Sequence, residues 1–363
     1  MARPEDHRAR APAKRREGRP DERGFDRSGV RTGVEPASGP SADSDESISV
    51  VICCWSLERW DALCAAIDSV EDQTQAAEQI LVVVDHNADL VVRLRSRYPS
   101  CTVVESASER RGLSGARNTG LALAHTAIVA FLDDDAVAPP DWLAGLVRAY
   151  ERNVIAVGGS VEPVWPSSAP GWFPPEFAWV VGCTHSGMPR ATACVRNLVG
   201  ANMSVRRSVV ERVGGFAEEL GRVGALPAGC EETEFFIRAG RAWGGRGRIL
   251  FVPELRVSHS VSASRTTLRY FVTRCFGEGI SKAAVARMVG RDRGLSEERR
   301  YVTTTLPVGV VSSVASAIRT RRTQPLMRAF AILLGLAATV GGYARGVARS
   351  WSAQQRSAAT PLA

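Results

Sequence analysis

Three consecutive aspartates, Asp133, Asp134 and Asp135, directly follow the apolar run AIVAFL. Like charges this close raise one another's pKa unless a positive group joins them. Mg²⁺ and Mn²⁺ bind through carboxylate oxygens and take their remaining ligands from water and substrate phosphates. The DxD spacing of Asp133 and Asp135 therefore predicts a metal site that serves a phosphorylated substrate. A solvated acidic turn, in which Asp141 caps the next helix, is the alternative.

A further carboxylate, Asp85, ends the apolar run QILVVV. Apolar runs alternate with helical patterns through residues 48–132, which predicts an α/β fold: a Rossmann-like, mostly parallel sheet flanked by helices. The runs are continuously apolar, as in strands that are buried on both faces. Ligands of such sheets bind outside the carboxyl ends of the strands. We therefore expect Asp85 and the three aspartates at one binding edge.

Charge and composition divide the chain into three parts. Residues 1–47 have almost no large apolar side chain, so we predict a disordered tail that is not a secretory signal. Residues 48–260 carry the alternating pattern, and residues 261–363 form a basic helical extension with 16 basic and 4 acidic side chains. Positive charge confined to one end argues against nucleic-acid binding and indicates a surface that faces an anionic partner.

Two apolar stretches of the extension, LPVGVVSSVASAI and AFAILLGLAATVGGYA, are flanked by arginines. Both are shorter than the roughly 20 residues of a spanning helix. We therefore predict helices that lie in an anionic membrane surface or insert shallowly. Packing of both helices on the preceding domain as ordinary core is the alternative.

Several classes of protein are disfavoured by missing motifs. The eight cysteines include no CxxC pair and no Cys/His cluster, which argues against a zinc site and a disulfide framework and favours a reducing cytosol. The first strand lacks the GxGxxG of dinucleotide-dependent oxidoreductases. The segment after that strand, CCWSLERWD, also lacks the Gly-rich loop that a nucleotidyltransferase would need.

Six motifs together resemble the family-2 glycosyltransferases. In chain order they are VVVDHN, RGLSGARNTGLALA, IVAFLDDDAVAPPDWL, GANMSVRRSVVERVGGF, GCEETEFFIRA and VPELRVSHSV. The resemblance covers residues 48–260 and implies a GT-A fold, a nucleotide-diphosphate sugar donor and a divalent metal, Mn²⁺ or Mg²⁺. It also implies that residues 48–145 bind the nucleotide sugar and that residues 146–260 hold the acceptor and the catalytic base. Three of these segments, VVVDHN, GLSGARN and GCEETE, further resemble the glucosyl-dolichyl phosphate glucuronosyltransferases.

The resemblance assigns donor and metal ligands. Asp85 matches the aspartate that binds the nucleobase, usually uracil, and Asp134 is expected near the ribose or sugar. Arg117 and Asn118 match the family's RN pair, and a guanidinium suits phosphate oxygens. The expected metal ligands are Asp133, Asp135 and His259, although a lone histidine is more often structural.

The resemblance also implies a catalytic base, at a position where this chain departs from the family. Family members usually carry Glu-Asp there, with the aspartate as the base, whereas this chain has Glu231 and Glu232. We assign the base to Glu232 and leave Glu231 and Glu234 open. Alternatively, all three stand at a helix N-terminus because the helix dipole favours acidic residues there.

These assignments imply an inverting enzyme on the cytoplasmic face of the cell membrane. It would move one sugar from a UDP-sugar to a hydroxyl of a cell-envelope or lipid-linked glycan, such as a polyprenyl-linked one. The QxxRW motif of processive relatives is missing after His259, which favours transfer of a single sugar. A non-catalytic sugar- or lipid-binding relative of the same fold is the alternative.

Overall fold

A computed structural model describes residues 47–222, 229–290 and 296–358 of the chain. The predicted disordered tail, residues 1–47, lies outside the described residues except for Ser47. Within the described part, nine strands form one sheet in the order β3-β2-β1-β4-β8-β6-β9-β5, with β7 also paired to β9. The strands are β1 Ile48–Cys54, β2 Gln79–Val84, β3 Thr102–Glu105, β4 Ile128–Asp133, β5 Ala136–Val137, β6 Val154–Val164, β7 Ala193–Cys194, β8 Asn202–Arg206 and β9 Arg248–Ser260.

Strands β1 to β4 form the parallel half of the sheet. Their apolar side chains are buried on both faces, as the continuous apolar runs predicted. Cys54 pairs with Val84 and Cys53 with Asp133, so β1, β2 and β4 end at nearly the same level. The aspartates that follow β2 and β4 therefore leave the sheet at one edge.

The other half of the sheet is mixed. Strand β8 is antiparallel to both β4 and β6, whereas β9 is parallel to β6. An antiparallel neighbour needs no helical crossover, and the chain between β6 and β8 contains only a short 3₁₀ helix, Pro175–Val181, and the two-residue strand β7. The predicted α/β class is confirmed as a mixed sheet flanked by helices, with its parallel part confined to the first four strands and the β6–β9 pair.

Helices flank this sheet and extend beyond it. They are α1 Trp60–Glu71, α2 Ala88–Arg97, α3 Leu113–Leu123, α4 Trp142–Arg148, α5 Arg207–Val213, α6 Glu231–Ala242, α7 Leu268–Val289, α8 Ser296–Arg300, α9 Leu306–Thr320 and α10 Gln324–Ala358. Asp141 precedes α4, but its side chain makes no capping hydrogen bond. The predicted C-terminal helical extension is therefore present as α7 to α10.

Helices α7 and α10 approach closely because glycines line their contact. A Cβ added at Gly279 would lie 2.0 Å from the Thr339 carbonyl oxygen, and one at Gly342 would lie 2.0 Å from the carbonyl oxygen of Phe276. Small residues allow helix backbones to approach in this way. Aromatic side chains of the loop before β7, including Trp172 and Phe173, pack on Phe271 of α7.

The structure corrects the predicted lengths of the two apolar C-terminal segments. Helical structure extends into their polar flanks, giving apolar helical runs of 24 residues at Glu297–Thr320 and 26 residues at Gln324–Arg349. Both are long and apolar enough to cross a membrane. Only 17% and 28% of their most apolar windows are buried, although Leu306 and Ile332 belong to the buried core. Attachment to a membrane and packing on the domain therefore both stay predictions.

The glycine contact between α7 and α10 can be tested with two adjacent residues. We expect Gly342→Ala to lower the unfolding temperature of the full-length protein in detergent, because overpacking against backbone costs about 1–3 kcal/mol. Gly341→Ala is the matched control: it gains the same helix propensity, and its Cβ would meet nothing closer than 3.8 Å. Equal unfolding temperatures for the two variants would contradict the observed packing.

Candidate active site

The three aspartates lie at the end of β4, where the short strand β5 directs the chain toward β9. In this antiparallel pair Ala136 lies opposite His259, and the N–H of Ser260 donates to the Asp135 carbonyl at 2.8 Å. The pairing brings His259 Nε2 to 2.9 Å from Asp135 Oδ1. Residues that are more than 120 positions apart in sequence thus share one side of the site.

The three predicted metal ligands lie close together. One ligand atom each of Asp133, Asp135 and His259 lies within 4.8 Å of the others. Asp135 and His259 are buried, and Asp133 is half-buried. Carboxylate oxygens with one imidazole suit a divalent cation such as Mn²⁺, so the donor set fits the expected metal.

Two arginines that the motifs did not indicate neutralise the aspartates. Arg59 Nη1 lies 2.6 Å from Asp134 Oδ1 and 3.1 Å from Asp135 Oδ2, and Arg265 Nη1 lies 3.6 Å from Asp135 Oδ2. Arg59 belongs to the CCWSLERWD segment, in a 3₁₀ turn just after β1. Its position past the carboxyl end of a parallel strand was the signal that could have revealed it.

Burial and these charges separate the pKa values of the site. Burial and Asp135 raise the pKa of Asp134 to about 7, although Arg59 opposes them. Burial also acts to raise the pKa of Asp135, but His259 and the two arginines bring it well below its usual range. Burial acts to lower the pKa of His259, and the Asp135 carboxylate outweighs it and raises that pKa to about 10.

Arg117 connects the aspartates to the glutamate cluster. It lies on α3 with 2% of its surface exposed. Its Nη1 donates to Glu231 Oε1 at 2.9 Å, while Nη2 donates to the Gly200 carbonyl at 3.2 Å and lies 3.5 Å from Asp133 Oδ1. The guanidinium thus organises the site from within, and its predicted contact with donor phosphate stays a prediction.

Asp85 and Asn118 hold the chain around α3. Asp85 Oδ2 accepts from the N–H of Gly112, which precedes α3, and Oδ1 lies 2.7 Å from His86 Nδ1. The Asn118 amide binds both backbone groups of Phe216, donating at 2.9 Å and accepting at 2.7 Å. Asp85 lies at the predicted edge, and the donor contacts of both residues stay predictions.

The three glutamates at the start of α6 have different surroundings. Glu231 pairs with Arg117, and its Oε2 has no hydrogen-bond partner in the described residues. Glu234 accepts two bonds from Arg238, from Nε at 2.7 Å and from Nη2 at 2.9 Å. Both carboxylates are therefore committed to arginines within the fold.

Glu232 is the glutamate that keeps a half-buried carboxylate without an ion pair, as far as the described residues show. Burial and the neighbouring Glu231 raise the pKa of Glu232 to about 8, against the opposing charge of Arg117. A carboxylate with a pKa near the working pH is suited to general-base catalysis. The surroundings of Glu232 thus differ from those of Glu231 and Glu234, and its assignment as the catalytic base stays a prediction.

A fourth arginine, Arg222, belongs to the same region. Arg222 makes no ion pair with a described residue, and burial together with Arg265 and Arg274 lowers its pKa, while Asp133 opposes them. Its guanidinium is half-buried and lies among like charges, and an anion such as a phosphate or carboxylate group would relieve their repulsion.

Comparison with known proteins assigns the chain to a family. The profile of Glycosyl transferase family 2 matches residues 49–214. A glucosyl-dolichyl phosphate glucuronosyltransferase of Haloferax volcanii is 32% identical over 304 residues, which cover 83% of this chain and 96% of that protein. The chain belongs to glycosyl transferase family 2. This confirms the predicted resemblance, and the protein is a glycosyltransferase.

Two further relatives of this family-2 glycosyltransferase differ in how much they share. The succinoglycan biosynthesis protein ExoM of Rhizobium meliloti is 30% identical over 207 residues, covering 55% of this chain and 62% of that protein. The mannosyltransferase PcManGT of Pyrobaculum calidifontis, solved with GDP-Man and Mn²⁺, superposes with a TM-score of 0.51 at 17% identity, over 81% and 86% of the two chains. This superposition confirms the predicted GT-A fold.

The metal assignment can be tested at Asp135. We expect Asp135→Asn to weaken Mn²⁺ binding, measured by titration calorimetry, by about tenfold or more, because one charged ligand is lost. Sugar transfer should fall with it, and EDTA should abolish transfer by the unmodified protein. Asp141→Ala, at an exposed aspartate without a capping bond, is the control. Full activity in EDTA would overturn the assignment.

Proposed function

We propose that this glycosyltransferase moves one sugar, with inversion, from a UDP-sugar to a hydroxyl of a lipid-linked glycan. The observation that carries the proposal is the placement of Glu232 beside Glu231, which Arg117 connects to Asp133. A base at the start of α6 and an aspartate cluster at the end of β4 are thereby combined in one site. Such a site can activate a hydroxyl next to a bound diphosphate.

The mechanism follows from these positions as a single displacement. The acceptor oxygen attacks the anomeric carbon on the face opposite the diphosphate, and Glu232 accepts the hydroxyl proton. The bond from that carbon to the phosphate oxygen breaks, and the nucleoside diphosphate leaves with the electron pair. The configuration inverts, and no covalent enzyme intermediate forms. The raised pKa of Glu232 makes its carboxylate a stronger base than an exposed glutamate.

The groups around the leaving diphosphate come from several elements. Asp133, Asp135 and His259 would hold a divalent cation, which supplies Lewis-acid neutralisation of the charge on the diphosphate. Arg59 and Arg265 hold the aspartates in position through the contacts described above. In this proposal Asp85 binds uracil, Asp134 lies near the ribose or sugar, and Arg117 and Asn118 bind the nucleotide-sugar donor.

The relative from Haloferax volcanii suggests the first substrates to test. Its name states the transfer of a glucuronosyl group to glucosyl-dolichyl phosphate. Both substrates of such a reaction are anionic, which suits the basic extension and Arg222, a side chain with no ion pair to any described residue. We therefore propose UDP-glucuronic acid as donor and glucosyl-dolichyl phosphate as acceptor, a polyprenyl-linked substrate that would meet the enzyme at a membrane.

Attachment to the cytoplasmic face of a membrane completes the proposal. Helices α9 and α10 expose large apolar side chains, with Val311 68% exposed, Ile318 75% and Phe330 63%. Arginines stand between and beside these helices, and each contributes about 1 kcal/mol of attraction to anionic lipids. The apolar faces and the basic charge together suit a bilayer surface that also presents the acceptor.

The catalytic proposal is tested by a donor panel and one substitution. We expect release of the nucleoside diphosphate to be faster from UDP-glucuronic acid (UDP) than from UDP-glucose (UDP) or GDP-mannose (GDP) when glucosyl-dolichyl phosphate is present. Because the base must be deprotonated, kcat should rise with pH through about 8, the pKa of Glu232. Glu232→Gln should lower kcat by about 10² or more with little change in KM.

The exposed Glu211→Gln is the control for this substitution. Wild-type turnover by Glu232→Gln would refute the assignment of the base. Absence of transfer with every donor would instead favour the alternative of a non-catalytic sugar- or lipid-binding relative.

The membrane proposal is tested by placing a charge on the exposed apolar face of α9. We expect Val311→Asp to reduce flotation of the full-length protein with phosphatidylglycerol vesicles by several-fold, because a charge is costly to place in the bilayer. Val92→Asp on α2 is a matched control, since Val92 is 69% exposed and lies in the catalytic domain. An equal reduction of flotation in both variants, or no flotation of the wild-type protein, would contradict the membrane proposal.

A further inference from the structure

Side chains of α7 hold the turn that leads into the catalytic helix α6. The N–H of Gly229 donates to Ser281 Oγ at 3.3 Å, and Cys230 Sγ donates to Glu278 Oε1 at 3.1 Å. Both contacts are buried. They fix the two residues that immediately precede Glu231 and Glu232, so α7 determines where α6 begins.

The backbone of this turn is in a conformation that needs such support. Cys230 has φ 72° and ψ 12°, in the left-handed region that non-glycine residues rarely adopt. A strained residue of this kind persists only where its surroundings stabilise it, and such residues concentrate at functional sites. Here the surroundings that bind Cys230 belong to the C-terminal helical extension.

Glu278 is itself held as a carboxylate by two cations of α7. Arg274 Nη1 lies 2.8 Å from its Oε2, and Lys282 Nζ lies 3.1 Å from its Oε1. Burial acts to raise the pKa of Glu278, but Lys282 and Arg274 bring it far below its usual range. Glu278 therefore accepts the Cys230 hydrogen bond as an anion, which makes the bond stronger than one between neutral groups.

The same network reaches the opposite flank of the site through α8. Glu298 lies 2.7 Å from Lys282 Nζ and accepts two bonds from Arg196, at 2.7 and 2.8 Å. Arg196 lies in the segment that leads to Gly200, whose carbonyl binds Arg117. The helices α7 and α8 thus contact both the α6 turn and the loop that faces Arg117.

We propose that Glu278 is a positioning residue for Glu232, so that the C-terminal helical extension completes the active site as well as contacting the membrane. The inference rests on the proposed role of Glu232 as base. Glu278 touches no reacting atom; it acts through Cys230 by fixing the start of α6. Loss of this contact should displace the Glu232 carboxylate while leaving the donor ligands at the β4 edge unchanged.

Cys230 offers the mildest test of the contact. With UDP-glucuronic acid and glucosyl-dolichyl phosphate, we expect Cys230→Ala to lower kcat about tenfold with little change in the KM for the donor, because a small misplacement of a catalytic group is costly. Cys230→Ser keeps a donor for Glu278 and should restore most of kcat. Cys275→Ala is the control for a lost buried thiol, since Cys275 lies on α7 and bonds Thr339 of α10.

Glu278→Gln supplies a second readout, the pH profile. The charged groups that set the pKa of Glu232 are Glu231, Arg117 and Glu278, and both glutamates raise it. Removing the Glu278 charge should therefore shift the rising limb of kcat to lower pH, in addition to lowering kcat. A purely structural loss would reduce the active fraction without moving the limb.

The outcomes separate the two proposals. Wild-type kcat and an unshifted pH limb in both Cys230→Ala and Glu278→Gln, with Glu232→Gln inactive, would overturn the positioning role and leave the base in place. Full turnover by Glu232→Gln would overturn the base, and the positioning role with it. A Cys275→Ala variant as slow as Cys230→Ala would also overturn the inference, because the loss would then be general.

Discussion

A buried guanidinium, that of Arg117, is the interaction on which the rest of the site depends. A charge removed from water is costly unless it is paired and hydrogen-bonded. Arg117 meets this requirement with Asp133 from the end of β4, Glu231 from the start of α6 and the Gly200 carbonyl from the loop before β8. Three elements are thereby tied to α3, so the end of β4 and the start of α6 cannot separate without exposing a buried charge.

The remaining charges are balanced in the same manner. The aspartates after β4 meet Arg59 from the turn after β1, Arg265 from a 3₁₀ turn after β9 and His259 from β9 itself. Opposite charges from separate parts of the chain therefore converge where the parallel strands end. Only Glu232 in the glutamate cluster keeps a carboxylate without an arginine partner among the described residues, and burial and the neighbouring Glu231 raise its pKa.

The C-terminal helical extension combines two kinds of surface. Towards the domain, α7 and α10 meet through glycines, and α7 and α8 contribute the charged network that supports the α6 turn. On the other side, α9 and α10 expose valine, isoleucine and phenylalanine side chains. In our proposals the same helices face the lipid that carries the acceptor and hold the base that activates it.

The sequence by itself determined the alternating strands and helices, the edge on which Asp85 and the aspartates lie, and the family. These features are local, because continuous apolar runs specify buried strands and a parallel strand carries its following residues to one edge. The tertiary structure decided the antiparallel placement of β8, the partners of Arg117 and the different surroundings of the three glutamates. It also placed Arg59, Arg265 and Glu278 at or beside the site. These outcomes depend on contacts between residues that lie far apart in sequence. Burial and ion pairing in those contacts determine how the side chains ionise, and a local sequence pattern cannot predict them.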